Sequence, residues 1–229
     1  MNRIIIFIIF LNYYGTLLAQ NYMASYKAYY PSENIEKIKN SENLSEASKQ
    51  RYLNYLKKNK PVNSKLYFND TMSVYFVEEQ MLIDNQKINP TYTRAGGNNK
   101  YTYLNNSFFY QFNYQNKKIW VKHKNREWEI TKEKKNINGY NCVLAKTYNK
   151  GNKLTKAWFT SDISFQYGPY KFYGLPGLIV KLESPIIVFD LLSLKETNEE
   201  EVFSIYLKEY ISEKEKKKII NKQFDNFSN

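Results

Sequence analysis

The 229-residue chain contains one cysteine and one histidine. A single cysteine, Cys142, excludes a disulfide within the chain, so the core alone has to stabilise the fold. His123 and Cys142 would need at least one carboxylate to form a metal site, and would need to be adjacent to act as base and nucleophile. A histidine between Lys122 and Lys124 on a strand is more simply a surface residue. The sequence therefore predicts no metal and no cofactor.

The sequence also lacks a nucleophile elbow, a zinc helix, a dinucleotide fingerprint and a phosphate loop. The acidic candidates are Asp162, Glu183 and Asp190, which lie around or just after a segment rich in glycine and proline. Two of these carboxylates could serve a hydrolase if folding placed them about a sugar width apart. We predict no catalytic residue, and a hydrolase using Asp162, Glu183 or His123 is the alternative.

Acidic residues are outnumbered, with 22 Asp and Glu against 34 Lys and Arg, which gives a net charge of +12. Such a charge favours nucleic acid, anionic lipid or acidic polysaccharide. The lysines are scattered, however, and only residues 214–218 form a dense basic run. We therefore predict no nucleic-acid partner and, at most, a weak anion-binding surface for lipid head groups or polysaccharide.

No apolar run is long enough for a comfortable membrane span. The longest, residues 4–11, follows Arg3 and precedes the small-residue end Leu17-Leu18-Ala19. This order is typical of a secretory signal peptide over residues 1–19, with an uncleaved anchor as the alternative. We expect export to the periplasm or cell surface of a Gram-negative-type envelope, and no transmembrane segment after cleavage.

Aromatic residues make up 17% of the chain, and they alternate with polar residues in many short stretches. This pattern predicts a mainly β fold: a curved antiparallel meander sheet or partly open barrel, in a single domain over residues 20–229. Helical spacing over 44–58 predicts one covering helix, and a capping box at Ser212 predicts a short C-terminal helix. Residues 90–100 are predicted to be a loop, and residues 81–89 and 202–210 strands.

Residues 167–179 contain three of the eight glycines and two of the six prolines. Leu175-Pro176-Gly177-Leu178 predicts a type II turn, with positive φ at Gly177. Asn, which visits positive φ readily, should therefore be tolerated at Gly177 better than Val.

Several motifs around this turn resemble the GLPGLI family of exported bacterial proteins. They are Trp128-Glu129-Ile130, Gly139-Tyr140-Asn141-Cys142, Ala157-Trp158-Phe159-Thr160, Gly168-Pro169 and the signature turn Gly174, Leu175, Pro176, Gly177, Leu178, Ile179. Asn152 stands where relatives commonly have an arginine. The resemblance implies family membership, and no activity is established for that family.

Aromatic residues that could line a ligand cleft are Trp120, Trp128, Trp158, Phe172 and Tyr173. They could equally form the core between the sheet and the helix. The favoured interpretation is a non-catalytic envelope protein that binds an apolar or amphipathic ligand or a partner protein.

Overall fold

Alternating strands and tight turns produce one twelve-stranded sheet in the computed structural model, which describes residues 20–79, 89–149 and 151–227. The predicted signal segment, residues 1–19, and nearly all of the predicted strand over 81–89 lie outside these residues. The strands are β1 (Tyr22–Tyr29), β2 (Val62–Phe68), β3 (Met72–Val77), β4 (Tyr101–Leu104), β5 (Ser107–Tyr114), β6 (Lys117–His123), β7 (Glu129–Ile137), β8 (Tyr140–Tyr148), β9 (Leu154–Thr160), β10 (Leu178–Glu183), β11 (Val188–Glu196) and β12 (Tyr210–Ser212).

Two antiparallel meanders meet at the middle of this sheet, where β1 pairs with β11. The first meander runs outward from β1 to β6. The chain then crosses to the opposite edge and returns inward from β7 to β11. The short β12 adds to the outside of β6 in parallel. The mainly β, open-sheet prediction is confirmed.

The link between β6 and β7 requires the sheet to curl. Ten steps between neighbouring strands separate β6 from β7, which would span about 48 Å in a flat sheet. The chain from His123 to Glu129 covers only six residue steps, or at most roughly 22 Å. The two halves of the sheet therefore bend towards each other, and the sheet acquires a concave side.

The connection between β9 and β10, residues 161–177, fills much of this concave side, and we name it the plug. Its Tyr167, Phe172 and Leu175 are buried. Tyr173 is stacked on Phe108 of β5, with ring centroids 4.5 Å apart. Just beyond the plug, the Ile179 carbonyl accepts a 2.7 Å hydrogen bond from the Tyr26 hydroxyl. The core thus lies between the sheet and the plug.

The four helices of the described chain are α1 (Ser32–Lys39), α2 (Glu46–Leu56), α3 (Pro90–Ala95) and α4 (Glu213–Phe227). The helix expected over 44–58 forms as α2, capped by Ser45, but it buries only Leu56. The C-terminal capping box is also present, since the Ser212 and Glu215 side chains bond each other's backbone N–H. None of these helices is long and apolar enough to cross a membrane.

Two local predictions are wrong. Residues 90–100 contain α3, which Asn89 caps by accepting from the Thr91 N–H, with Pro90 in the first turn and Gly96 at the end. All three residues are standard helix boundary signals, and they outweighed the polar composition. Residues 202–209 are not a strand, since β1 and β10 already occupy both sides of β11, and β12 begins only at Tyr210. A 3₁₀ turn at Glu201–Phe203 leads instead to β12.

Candidate functional site

A cleft of about 700 Å³ opens where α3, β5, the plug and α4 meet, and we name it the lysine cleft. Its walls combine aromatic rings, side-chain amides and two lysines. The lining includes Glu79, Tyr92, Asn98, Tyr110, Gln111, Phe112, Asn113, Tyr170, Lys171 and Lys216.

The plug delivers Tyr170 and Lys171 to this cleft through a tight turn. The Phe172 N–H donates to the Pro169 carbonyl across 3.2 Å, and Tyr170 between them has φ +59°. Positive φ is uncommon and strained for a bulky residue, so the surrounding packing has to impose it. The Tyr170 ring lies 4.8 Å from that of Tyr101 and 6.5 Å from that of Phe189.

Two lysines from distant parts of the chain share the ring of Tyr110. Lys171 Nζ lies 3.6 Å from the ring centroid, and Lys216 Nζ lies 4.7 Å from it. Lys216 Nζ also donates to the Tyr110 hydroxyl at 2.9 Å, and that hydroxyl donates to Glu213 Oε1 at 3.1 Å. Since the capping box fixes where α4 begins, it also fixes the position of Lys216 in the first turn.

The charges in this cleft are poorly compensated. Burial, followed by the neighbouring Lys216, lowers the pKa of Lys171 to about 8, although the Glu213 carboxylate opposes this shift in part. Burial also lowers the pKa of Lys216. Five ion pairs form between the residues that the structure describes, and neither lysine takes part in one. With a pKa of about 8, the Lys171 ammonium group is predominantly charged at pH 7.

Arg126 and His123 adjoin the lysine cleft on the side of the β6–β7 link. The Arg126 guanidinium lies 4.5 Å from the ring centroid of Phe172. Its Nε is buried and has no hydrogen-bond partner within the described part of the chain. Burial lowers the pKa of Arg126 and of His123. His123 is half-buried, with its ring 6.1 Å from that of Tyr110.

Of the aromatic residues predicted to line a cleft, Trp158, Phe172 and Tyr173 are core residues, with exposures of 8%, 6% and 4%. Trp128 is half-buried and donates from Nε1 to the Tyr173 carbonyl at 2.9 Å. Trp120 lies on β6 opposite Tyr210 of β12. The structure therefore brings Trp128, Phe172 and Tyr173 together and leaves Trp120 apart. Their role in ligand binding stays a prediction.

The signature turn is tighter than predicted. The Gly177 N–H donates to the Leu175 carbonyl at 2.8 Å, which is a three-residue turn around Pro176. The Leu178 N–H donates instead to the Ile163 carbonyl at 3.1 Å, so the type II assignment is wrong. Gly177 does have positive φ, at +156°. A Cβ there would lie 2.0 Å from the Thr160 carbonyl oxygen, so close backbone approach is the stronger reason for glycine.

Of the three acidic candidates, Asp162 lies apart, whereas Glu183 and Asp190 both contact Lys181 Nζ, Glu183 at 3.7 Å. Thr160 pairs with Leu178 and Lys156 with Glu183, so Asp162 and Glu183 diverge along antiparallel strands. The stretch of strand from Leu178 to Glu183 already spans about 17 Å, well beyond the spacing of a glycosidase pair. Asp190 pairs with Lys181 at 3.4 Å and accepts from Tyr29 at 2.7 Å.

The remaining chemical candidates also lie apart. Burial raises the pKa of the Cys142 thiol to about 11, so the thiol stays protonated. His123 Nδ1 lies 2.5 Å from the Lys124 carbonyl oxygen, whereas the Cys142 thiol faces the Tyr140 carbonyl. Across residues 20–79, 89–149 and 151–227, no three His, Cys, Asp or Glu side chains form a metal-binding group.

Sequence reasoning did not identify Tyr110, Lys171, Lys216 and Arg126 as a group. The 214–218 basic run pointed towards Lys216, and the alternating aromatic residues of β5 pointed towards Tyr110 and Phe112. Nothing in the local sequence marks Lys171 or Arg126, because only the plug and the β6–β7 link bring them to the site.

Part of the chain matches a family of unknown function, and most of it shares the fold of solved structures. A family model described as "Protein of unknown function (Porph_ging)" matches residues 148–181, which comprise β9, the plug and the start of β10. No curated protein sequence matches the chain.

Two solved structures, described as PNGF-II in the C2 and P21 space groups, share the fold. They align with 88% of the chain at a TM-score of 0.54, with 16% and 17% identity. The chain spans 33% of the length of each. An uncharacterized conserved protein from Thermus thermophilus aligns at a TM-score of 0.39 and 7% identity, over 85% of this chain and 90% of its own.

Proposed function

We propose that this chain is an exported envelope protein of the GLPGLI type that binds an anionic sugar in the lysine cleft without transforming it. The observation that carries the proposal is the pair of ammonium groups, Lys171 and Lys216, on the one ring of Tyr110. Two like charges so placed repel each other and are partly desolvated. A carboxylate or phosphate entering between them would relieve both costs.

The rest of the cleft suits a sugar ring. Side-chain amides from Asn98, Gln111 and Asn113 line it, and each amide can both donate to and accept from a hydroxyl group. Tyr92 and Phe112 add aromatic surface, which packs against the apolar face of a sugar. An anionic sugar corresponds to the alternative expected from the sequence, an anion-binding surface for polysaccharide, rather than to the favoured apolar or amphipathic ligand.

A hydrolase is less well supported, because Asp162 and Glu183 lie too far apart to flank one glycosidic bond. Glu183 and Asp190 do approach each other, but both are paired with Lys181, and neither lines the lysine cleft. The lysine cleft contributes a different set of groups: amines, amides and rings, with Glu79 as the carboxylate in its lining. Such a set is suited to holding a ligand.

Isothermal titration calorimetry at pH 7 with galacturonic acid and galactose tests the proposal. The acid should bind and galactose should bind at least tenfold more weakly, since only the acid can occupy the space between the lysines. Lys216→Met should weaken acid binding at least tenfold. Lys214→Met, an exposed neighbour on the same helix, removes the same charge outside the cleft and should change affinity by less than twofold.

Two results would contradict the proposal. Equal affinity for galactose and galacturonic acid would remove the role of the anion. Inorganic phosphate that binds as tightly as galacturonic acid would remove the role of the sugar. Circular dichroism of each lysine variant shows that a lost signal is not lost folding.

A further inference from the structure

A second cleft of about 660 Å³ lies at the β6–β7 link, where the two halves of the curled sheet approach each other. We name it the seam cleft. The residues of its lining that matter here are His123, Lys124, Arg126, Trp128, Lys146 and Tyr148. From its position we propose, resting on the function proposed above, that the anionic-sugar site continues into the seam cleft and that the ligand is a chain of acidic sugars.

The two clefts share a wall. His123 lines the seam cleft, and its ring centroid is 6.1 Å from that of Tyr110 in the lysine cleft. A second bridge runs through the plug, because the Tyr170 ring is 6.3 Å from that of Phe172, on which Arg126 is stacked. The clefts are therefore adjacent and separated by packed side chains, and a linear ligand that fills both would pass over this wall.

The seam cleft repeats the chemistry of the lysine cleft. Lys124, Arg126 and Lys146 supply positive charge, against Glu127 and Glu129 in the same lining. Glu129 lies opposite Lys146 in the pairing of β7 with β8. Lys124 and Arg126 then have only Glu127 as an acidic residue in the same lining. The tyrosine at the cleft, Tyr148, is 53% exposed, and its ring is accessible for stacking on a sugar.

Arg126 lies at the junction of the two clefts. Its guanidinium is stacked on Phe172, which fixes the plane of the guanidinium, and its buried Nε has no protein acceptor among the described residues. An arginine held in one plane with spare donors is suited to bidentate recognition of a carboxylate. A uronic acid chain carries one carboxylate per sugar, so neighbouring sugars could reach Lys171 and Arg126 in turn.

The test is calorimetric titration with galacturonic acid and its oligomers from two to six sugars. Affinity should rise at least tenfold between the monomer and the oligomer that fills both clefts, and then reach a plateau. Tyr148→Ala should lower hexamer affinity at least fivefold while monomer affinity stays within twofold, and this unchanged monomer affinity also shows that the variant is folded. Arg126→Gln should likewise lower hexamer affinity at least fivefold, and circular dichroism shows whether it is folded.

A matched control is Lys132→Met, which removes an exposed positive charge on β7 and should change hexamer affinity by less than twofold. If the monomer binds but the hexamer binds no tighter, or if Lys132→Met is as damaging as Arg126→Gln, the extended site is overturned and the lysine cleft stands. If neither monomer nor hexamer binds, the proposed function itself fails. A hexameric oligothymidylate that binds as tightly as the galacturonic acid hexamer would show general polyanion binding and overturn the sugar chain.

Discussion

Gly177→Ala adds one methyl group at the tightest backbone contact of the plug. The new Cβ would lie 2.0 Å from the Thr160 carbonyl oxygen, 2.7 Å from its carbon and 3.1 Å from the Ser161 nitrogen. Atoms of the backbone cannot rotate away, so the end of β9 or the turn has to move. Leu178, Ile179 and Val180 follow immediately and are fully buried, so any displacement reaches the core.

The magnitude follows from these contacts. Overpacking of this kind costs about 1–3 kcal/mol, and partial loss of burial at Leu178 or Leu175 adds about 1.5–3 kcal/mol. We expect a total loss of about 2.5–6 kcal/mol, a large part of a typical stability of about 5–15 kcal/mol. Asn should do no better than Ala at this position, since both carry the Cβ that collides. The expectation that Asn is tolerated better than Val stays a prediction, but the Cβ contact makes all three side chains costly here.

Gly174→Ala is the matched control. Gly174 also has positive φ, at +87°, but a Cβ there meets no atom within 4 Å. Its cost is limited to the backbone conformation, about 1–2 kcal/mol. Equilibrium urea unfolding at constant m-value compares the two variants. If Gly177→Ala unfolds at the same urea concentration as Gly174→Ala, or higher, then the contact with Thr160 does not restrict this position and the reasoning is refuted.

The remaining predictions concern Lys171. Affinity for galacturonic acid should be nearly constant from pH 6 to 7 and should fall towards tenfold per pH unit above pH 8, because the pKa of Lys171 is about 8 and only the ammonium form attracts the anion. Calorimetry across this pH range checks the prediction, and a flat profile to pH 9.5 would contradict it. Lys171→Met should abolish binding yet raise the free energy of unfolding at pH 7 by about 1–2 kcal/mol, measured by urea unfolding; a destabilised variant would contradict the cost assigned to this charge.

Local features of the fold were predictable because their causes are local. Asn138-Gly139 and Gln115-Asn116 form hairpin turns with positive φ at each of the four residues, and Asn-Gly is the strongest local signal for such a turn. Helix α2 and the capping box of α4 follow from side chains within a few positions. Helix α3 could have been predicted in the same way from Asn89, Pro90 and Gly96.

The features that sequence reasoning missed depend on distant pairing. The pairing of β1 with β11 joins residues 22 and 196, and no local pattern specifies it. The curl follows from that pairing together with the short β6–β7 link. The aromatic residues of β5 also differ in their surroundings, since some lie in the core and others line the cleft. Phe108 stacks in the core, Tyr110 lies at the boundary, and Phe112 faces the lysine cleft with Lys216.

Replacing Lys171 should raise the stability of the fold but abolish ligand binding. These opposite effects distinguish a plug that only fills the core from a plug that binds a ligand. A pKa of about 8 in place of 10.5 corresponds to roughly 3 kcal/mol against the charged form. The contact of Lys171 Nζ with the Tyr110 ring offsets about 0.5–2 kcal/mol of this, so the charged Lys171 still destabilises the folded state. The folded protein binds fewer protons than the unfolded chain between pH 8 and 10.5, so this cost disappears as the pH rises through that range. Methionine fills similar space without the charge. A plug serving only to fill the core would gain stability from that exchange, whereas the proposed binding of an anion would account for a lysine in this position.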